Sequence, residues 1–313
     1  MSTIRIALLA GGWSNEKDIS LKSGKAVYSA LDKGKYDVHL FDPAHDLQAL
    51  MEVKKDISLA FVLTHGNLGE DGCIQGFLSI LGIPFVGSGV LSSAMAMNKR
   101  ITKRVYEQAG LPTTKDIVLD RNNNFLVGDI IEILGRETIV KPVSEGSSHG
   151  ISLCQTEQAL AKGIKNAFKY TNEVLVEEYI NGQEITCCVL GNRKLETLPL
   201  IQIVPKPPSR IFDFKAKYET ASSDEICPAP ISASLTEYAK SCAKKAHKAL
   251  ECSDWSRTDM IVRNETVYLL ETNTIPGMTK NSLFPLAART AGLSLSDLLD
   301  GLITLCLERT SSD

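Results

Sequence analysis

The sequence predicts an α/β fold organised in more than one lobe, and three observations carry that reading. Short aliphatic runs alternate with segments of helical period. Glycine-rich loops follow several of the runs, and 313 residues exceed the usual size of one compact domain. The run 4–10 (IRIALLA) ends at Gly11-Gly12 and reads as a buried parallel strand. Residues 20–31 place Leu21, Ala26, Val27 and Leu31 at helical spacing, and 38–41 are strand-like. A second unit follows, with strand 59–63, the loop HGNLGEDG, a helix through Leu81 and strand 84–86. Residues 1–95 are therefore expected to form an open parallel α/β domain whose strand C-termini face a ligand crevice.

A helix over 92–109 is stopped by Gly110-Leu111-Pro112. Strands over 138–142 and 150–153 flank a Gly/Ser loop, before a helix at 157–169 and a strand at 174–177. The last third offers strands at 184–190, 196–203 and 266–271, with helices at 234–250 and 295–308. The expected divisions are 1–95, 96–180 and 181–313. No charge occurs between Asp71 and Lys99, a stretch long enough to span a bilayer. Gly82, Pro84, Gly87 and Gly89 break it, so it reads as helix, turn, buried strand and second helix.

Thirty-four basic against 37 acidic side chains give a net charge of -3, which argues against a nucleic-acid binder and for small-molecule partners. The eight cysteines include no CxxC pair, so neither a zinc site nor a disulfide framework is expected. The N-terminal apolar run is too short for a signal peptide. Together these features predict a cytoplasmic location with no membrane partner.

Three constellations could carry chemistry. In KPVSEGSSHG (141–150) small residues would let backbone amides approach phosphate oxygens, with Lys141 supplying charge. Taken alone, such a loop is more often a plain hairpin connection, and it matches neither a Walker A loop nor GxGxxG. In the second, Glu271 and Asn273 share one strand face about 6–7 Å apart. Asp259 from a neighbouring strand would complete an all-oxygen set of the kind magnesium prefers, with Arg257 on the same face. An ordinary solvated ion pair is the plainer reading of each pair. Third, Glu16-Lys17-Asp18 and Glu70-Asp71 place carboxylates after the first and third strands, suited to an ammonium group or serving merely as helix caps.

Read as an ordered set, these segments resemble the D-alanine:D-alanine ligase family of the ATP-grasp superfamily, over residues 4–308. GGWSNEKDIS, HGNLGEDGCIQG, KPVSEGSSHG, VEEYINGQE, AKY at 216–218, RTD at 257–259, LLETNTIPGMT and NSLFP carry the likeness. The resemblance implies an ATP-grasp fold, in which an N-terminal open parallel α/β domain precedes two α+β domains that sandwich ATP. It implies ATP-dependent joining of two D-alanines through an acyl phosphate, releasing ADP and phosphate, for bacterial peptidoglycan synthesis.

By resemblance, Lys99, Lys141 and Ser148 would meet ATP phosphates and Lys217 would close over them. Glu177 with Glu178 and Ile180 would grip adenine, and Glu184 the ribose. Asp259, Glu271 and Asn273 would ligate two magnesium or manganese ions. Glu16, tied to Ser147 and Tyr218, would bind the first substrate's ammonium near His65. Arg257 and the Gly277 amide would stabilise the tetrahedral intermediate, while Ser282 and the Leu283 amide take the second carboxylate. A homodimer is implied as well. Thr258 and Thr272 depart from the family, which usually has aliphatic residues there; strand alternation turns both away from the metal face. Asp18 and Glu178 are further departures. A ligase for another amino acid is disfavoured by GEDG and NSL, a catalytically dead regulator by the intact metal set, and a Rossmann oxidoreductase by the missing GxGxxG.

Overall fold

The computed structural model describes residues 3–146, 150–207, 211 and 222–310. Three sheets follow one another along the chain. The first contains β1 (Ile4–Leu9), β2 (Tyr36–Phe41), β3 (Leu59–Val62) and β4 (Phe85–Val86), all parallel in the order β2-β1-β3-β4. Ile6, Ala7, Leu8 and Leu9 are fully buried, as expected of a continuous apolar run covered on both faces. The crossovers are α1 (Lys17–Ala30), α2 (Pro43–Val53) and α3 (Cys73–Leu81). Helix α2 was not anticipated from periodicity; Asp42 caps it by accepting from the Ala44 amide, with Pro43 at its first position.

The single helix expected over 92–109 is two helices, α4 (Val90–Met97) and α5 (Lys99–Gln108). Asn98 between them is extended, at φ -91 and ψ 99, and its side chain accepts from the Ile101 amide. An apolar period can run on through such a break because the cap spends one residue and no hydrophobic position. The uncharged stretch before it resolves into α3, β4 and α4, as predicted.

The central sheet is antiparallel: β5 (Asp116–Asp120), β6 (Thr138–Pro142), β7 (Ser152–Cys154) and β8 (Glu173–Glu178), in the order β5-β8-β6-β7. It shares a core with α6 (Val127–Leu134) and α7 (Glu157–Ala167). The third sheet has six antiparallel strands: β9 (Gln183–Leu190), β10 (Glu196–Thr197), β11 (Ile201–Pro205), β12 (Ser223–Ile226), β13 (Trp255–Arg263) and β14 (Thr266–Asn273). Its order is β12-β11-β9-β13-β14, with β10 also on β9 and α8 (Ala233–Ala249) packed on it. The strand expected over 196–203 is interrupted between β10 and β11, where Pro199 has no N–H to give a ladder.

Two last helices, α9 (Leu283–Thr290) and α10 (Leu295–Thr310), return to the first sheet. Phe284, Leu299, Leu302 and Ile303 share one core with Ile6, Leu8 and Phe61. Trp255 joins them edge-on, its ring centroid 6.3 Å from Phe61 and 5.2 Å from Phe284. Among the described residues no single helix is long and apolar enough to cross a membrane; α9 and α10 pass only as a pair bent by 104°.

His247 in α8 is buried, with Nδ1 2.8 Å from Ser256 Oγ. Burial pushes its pKa from 6.5 down to about 4. The unfolded chain therefore binds a proton that the folded chain refuses. The stability contribution is full above pH 6.5, falls as pH drops from 6.5 to about 4, and is then lost. The total is roughly 3 kcal/mol. Denaturant melts of His247→Gln across this window should show a flatter pH dependence than the unsubstituted chain; equal slopes would contradict the assignment.

Candidate active site

A cleft of about 750 Å³ lies where the three sheets meet, lined by Glu16, His65, Lys99, Arg257, Glu271, Asn273, Gly277, Ser282 and Leu283. These residues come from sequence positions as distant as 16 and 283. Of the other residues singled out by sequence, Ser147, Ser148, Lys217 and Tyr218 lie outside the described residues.

The β13–β14 hairpin forms one wall. Its register sets Arg257 opposite Asn273, Thr258 opposite Thr272 and Asp259 opposite Glu271, and shifts just after Asp259. Arg257 donates twice to Asp259, Nε to Oδ1 and Nη2 to Oδ2, both at 2.9 Å. Asp259 also accepts from Thr186 Oγ1 at 2.5 Å and from Asn273 Nδ2 at 3.2 Å. Burial works against the Arg257 charge, but Asp259 outweighs it and keeps the guanidinium firmly protonated. Two carboxylates directly opposite on one face repel each other. That pair, with the Asn273 carboxamide, is an all-oxygen donor set of the hard type, and a divalent cation would offset the repulsion. No cluster of three or more His, Cys, Asp or Glu suited to a metal occurs among the described residues.

Lys99 stands on a second wall, with two further buried lysines near it in sequence or sheet. Lys99, the first residue of α5, donates from Nζ to the Glu145 carbonyl at 2.6 Å and lies 3.8 Å from Glu271 Oε2. Lys141 in β6 sits 2.6 Å from Glu177 Oε2, while Lys103 Nζ donates to Glu177 Oε1 at 2.7 Å. Thr114 Oγ1 donates to that same oxygen at 2.6 Å. Burial opposes the Glu177 charge, yet the two ammonium groups hold its carboxyl well below the usual carboxylate range. For Lys141 burial is likewise outweighed by Glu177, with Glu271 and Glu184 adding to the upward shift. Glu177, expected at the adenine, thus commits both oxygens to fixing Lys141 and Lys103. Glu178 Oε1 instead accepts from the Lys115 amide at 2.8 Å, and Ile180 is buried.

At the far end Glu16 precedes α1, with its amide donating to Ser14 Oγ, which donates to the His65 carbonyl at 2.7 Å. A Cβ on Gly66 would come within 2.8 Å of Glu16 Oε2, and one on Gly146 within 2.5 Å. Only glycines let the β3 and β6 loops close on this carboxylate, and Gly66 needs φ +68 as well. His65 Nδ1 is 3.9 Å from Glu70 Oε1, and Nε2 is buried with no partner among the described residues. Burial alone would lower the imidazole pKa, but Glu70 and Glu16 raise it past its ordinary value. The opposite end is a tight turn: Ser282 Oγ accepts from the Thr279 amide at 3.0 Å, and a Cβ on Gly277 would lie 3.0 Å from that hydroxyl.

Several contributors were not singled out from sequence. Lys103 lies one turn beyond Lys99, a spacing that would have revealed it. Thr186 and Thr114 had no such signal, since their partners come from distant strands. Glu225 on β12 also lines the cleft; burial pushes its carboxyl upward, with Arg257 acting against the shift.

Known proteins resemble this chain in sequence and fold. Residues 105–304 match the family model described as D-ala D-ala ligase C-terminus, and residues 42–88 the one described as D-ala D-ala ligase N-terminus. The chain is 50% identical over 310 residues to D-alanine–D-alanine ligase from Syntrophobacter fumaroxidans, covering 98% of this chain and 100% of that one. It superposes with a TM-score of 0.86 at 34% identity on D-alanine–D-alanine ligase from Bacillus anthracis complexed with ATP, over 99% of each chain. The VanG D-Ala:D-Ser ligase from Enterococcus faecalis gives 0.83 at 31%, over 97% of this chain and 100% of that one. With a model matched over 105–304 and full-length relatives at such identity, the chain belongs to the D-alanine–D-alanine ligase family.

Proposed function

We propose that this chain joins two D-alanines at the expense of ATP, supplying a dipeptide for peptidoglycan synthesis in the bacterial cytoplasm. The observation that carries the reading is the shared cleft, where the Glu16 carboxylate, the buried Lys99 ammonium, Glu271 and Asn273 of the hairpin and the Arg257 guanidinium face one space. A carboxylate oxygen of the first D-alanine attacks the γ-phosphorus of ATP and ADP departs. The deprotonated amine of the second attacks the acyl carbon, and phosphate leaves with the transferred oxygen.

Glu16 holds the first substrate's ammonium, with His65 close to that substrate. Lys99 and Lys141, with Ser148 and Lys217, hold the phosphates, and Glu177 fixes Lys141. Glu178, Ile180 and Glu184 border the nucleoside. Arg257 and the Gly277 amide meet the oxyanion, Ser282 and the Leu283 amide the second carboxylate, and Ser147 with Tyr218 closes the lid over Glu16. Asp259, Glu271 and Asn273 would hold two magnesium or manganese ions, which when bound neutralise charge on the phosphate oxygens. Domains at 1–95, 96–180 and 181–313 and a homodimer belong to the same reading; light scattering tests the dimer.

An ADP-release assay with ATP, magnesium and single D-amino acids tests the function. D-alanine should drive turnover best, with D-serine and D-lactate far behind; no D-alanine-dependent ADP release from folded protein would refute it. Glu271→Gln removes one charge from the hairpin and is expected to lower kcat by at least about 100-fold, within the range of an essential electrostatic contact. Normal magnesium-dependent turnover in that variant would refute the role.

A further inference from the structure

Where α5 packs on the acidic hairpin, three hydroxyls meet inside the protein. Tyr106 Oη lies 2.6 Å from Thr272 Oγ1, which lies 2.9 Å from Thr258 Oγ1. All three residues are buried. A buried hydroxyl without a partner costs about 1–3 kcal/mol, so these tolerate burial by satisfying one another. The two threonines come from the paired strands β13 and β14, and Tyr106 supplies the third member from α5.

We infer that Tyr106, Thr272 and Thr258 form a positioning chain that fixes the Asp259–Glu271–Asn273 hairpin against α5 and thereby sets the geometry of the phosphate and cation site; what that hairpin holds rests on the function proposed above.

Register supports this. Thr258 and Thr272 face each other between the Arg257–Asn273 and Asp259–Glu271 pairs, immediately before the shift at Asp259. Strand alternation turns each threonine side chain opposite to its neighbours, Arg257 and Asp259 on β13 and Glu271 and Asn273 on β14. A slip or twist of the hairpin therefore cannot move the carboxylates without parting the hydroxyls.

Helix α5 is the fixed point. Lys99, Lys103 and Tyr106 fall at i, i+4 and i+7, one face of the helix, and all are buried. Lys103 anchors that face to Glu177 and Lys99 approaches Glu271, so Tyr106 adds a third point of attachment one residue from Glu271. β14 ends the sheet order on this side and α5 packs on it. The chain leaving α5 bonds the same edge, the Leu269 amide donating to the Pro112 carbonyl at 2.9 Å. Beyond that bond β14 has no further strand beside it among the described residues to hold its register, which is why a buried polar tie is effective there.

The test is manganese binding to the full chain with ADP present, followed by electron paramagnetic resonance, beside the magnesium dependence of turnover and a thermal melt. Tyr106→Phe keeps the ring and removes only the hydroxyl, and Thr272→Val cuts both bonds. The manganese dissociation constant should rise about tenfold in both variants, the low end for a residue supporting a metal ligand from behind. The magnesium concentration for half-maximal turnover should rise in step, with KM for D-alanine within about twofold. Thr272→Ser, which restores the hydroxyl, should recover most of the affinity. Lower melting temperatures with unchanged manganese affinity in Tyr106→Phe and Thr272→Val would overturn the inference, leaving the hydroxyls a purely structural tie. If the unsubstituted chain took up no manganese with ADP, the proposed function itself would fail, and the inference with it.

Discussion

Replacing Arg257 by Met is expected to lower kcat by roughly 100- to 1000-fold while leaving KM for D-alanine within a few-fold. That is the loss found when one donor to a developing oxyanion is removed. Arg257 lines the cleft and is held rigid by two bonds to Asp259, so its position is set before substrate arrives. A preorganised charge costs no rearrangement when the tetrahedral centre forms, whereas a mobile one would. Asp259 keeps its Thr186 and Asn273 contacts in the variant, so the fold should survive. Arg257→Lys retains the charge and loses the fork, and should fall between the two. Steady-state kinetics with a melt on each variant checks this; a kcat within tenfold of the unsubstituted chain for Arg257→Met would remove Arg257 from the chemistry.

The largest expected loss of stability is at Asp254, well outside the cleft. Its side chain is fully buried and accepts from the Gly87 amide at 2.8 Å and Asn192 Nδ2 at 3.0 Å. Arg309 of α10 donates to both its oxygens, at 3.2 and 3.0 Å, and also to the Phe85 carbonyl. One carboxylate thus ties the end of β4, the start of β13 and the last helix together. Asp254→Ala strands a guanidinium and a buried amide and should cost about 3 kcal/mol. It also places alanine at φ 62, a strained conformation that asparagine tolerates better. A drop in melting temperature of about 5–10 °C is expected, with Asp254→Asn losing less. Turnover per folded molecule at low temperature should stay within about twofold. A melting temperature within 1–2 °C of the parent for the alanine variant would contradict the latch.

Local signals account for what the sequence made legible. The run IRIALLA became β1 because an uninterrupted apolar stretch fits a strand covered on both faces, and LLETN became β14 with Glu271 and Asn273 on one face, as period two requires. Turning points were harder. Asn98 breaks a helix without disturbing its apolar spacing, and Pro199 interrupts a run that reads as one strand. The short, acidic-ended β5 and the capped α2 carry too little periodic signal to stand out. Within the site, the residues of contiguous motifs could be named in advance, while Thr186, Thr114 and Tyr106 could not. Their importance arises from partners 63 to 166 residues away along the chain, a relation that only the folded register creates. Lys103 shows the same limit: only the fold reveals that it reaches Glu177, 74 residues further along the chain.

In this mechanism the first D-alanine carboxylate takes the γ-phosphoryl group before the second amine attacks. Carboxylate oxygen therefore has to pass into phosphate. Turnover of D-alanine labelled with oxygen-18 in its carboxylate, with unlabelled ATP and water, should yield inorganic phosphate carrying one labelled oxygen per dipeptide formed. Phosphate free of label, with dipeptide accumulating at the normal rate, would contradict an acyl-phosphate intermediate.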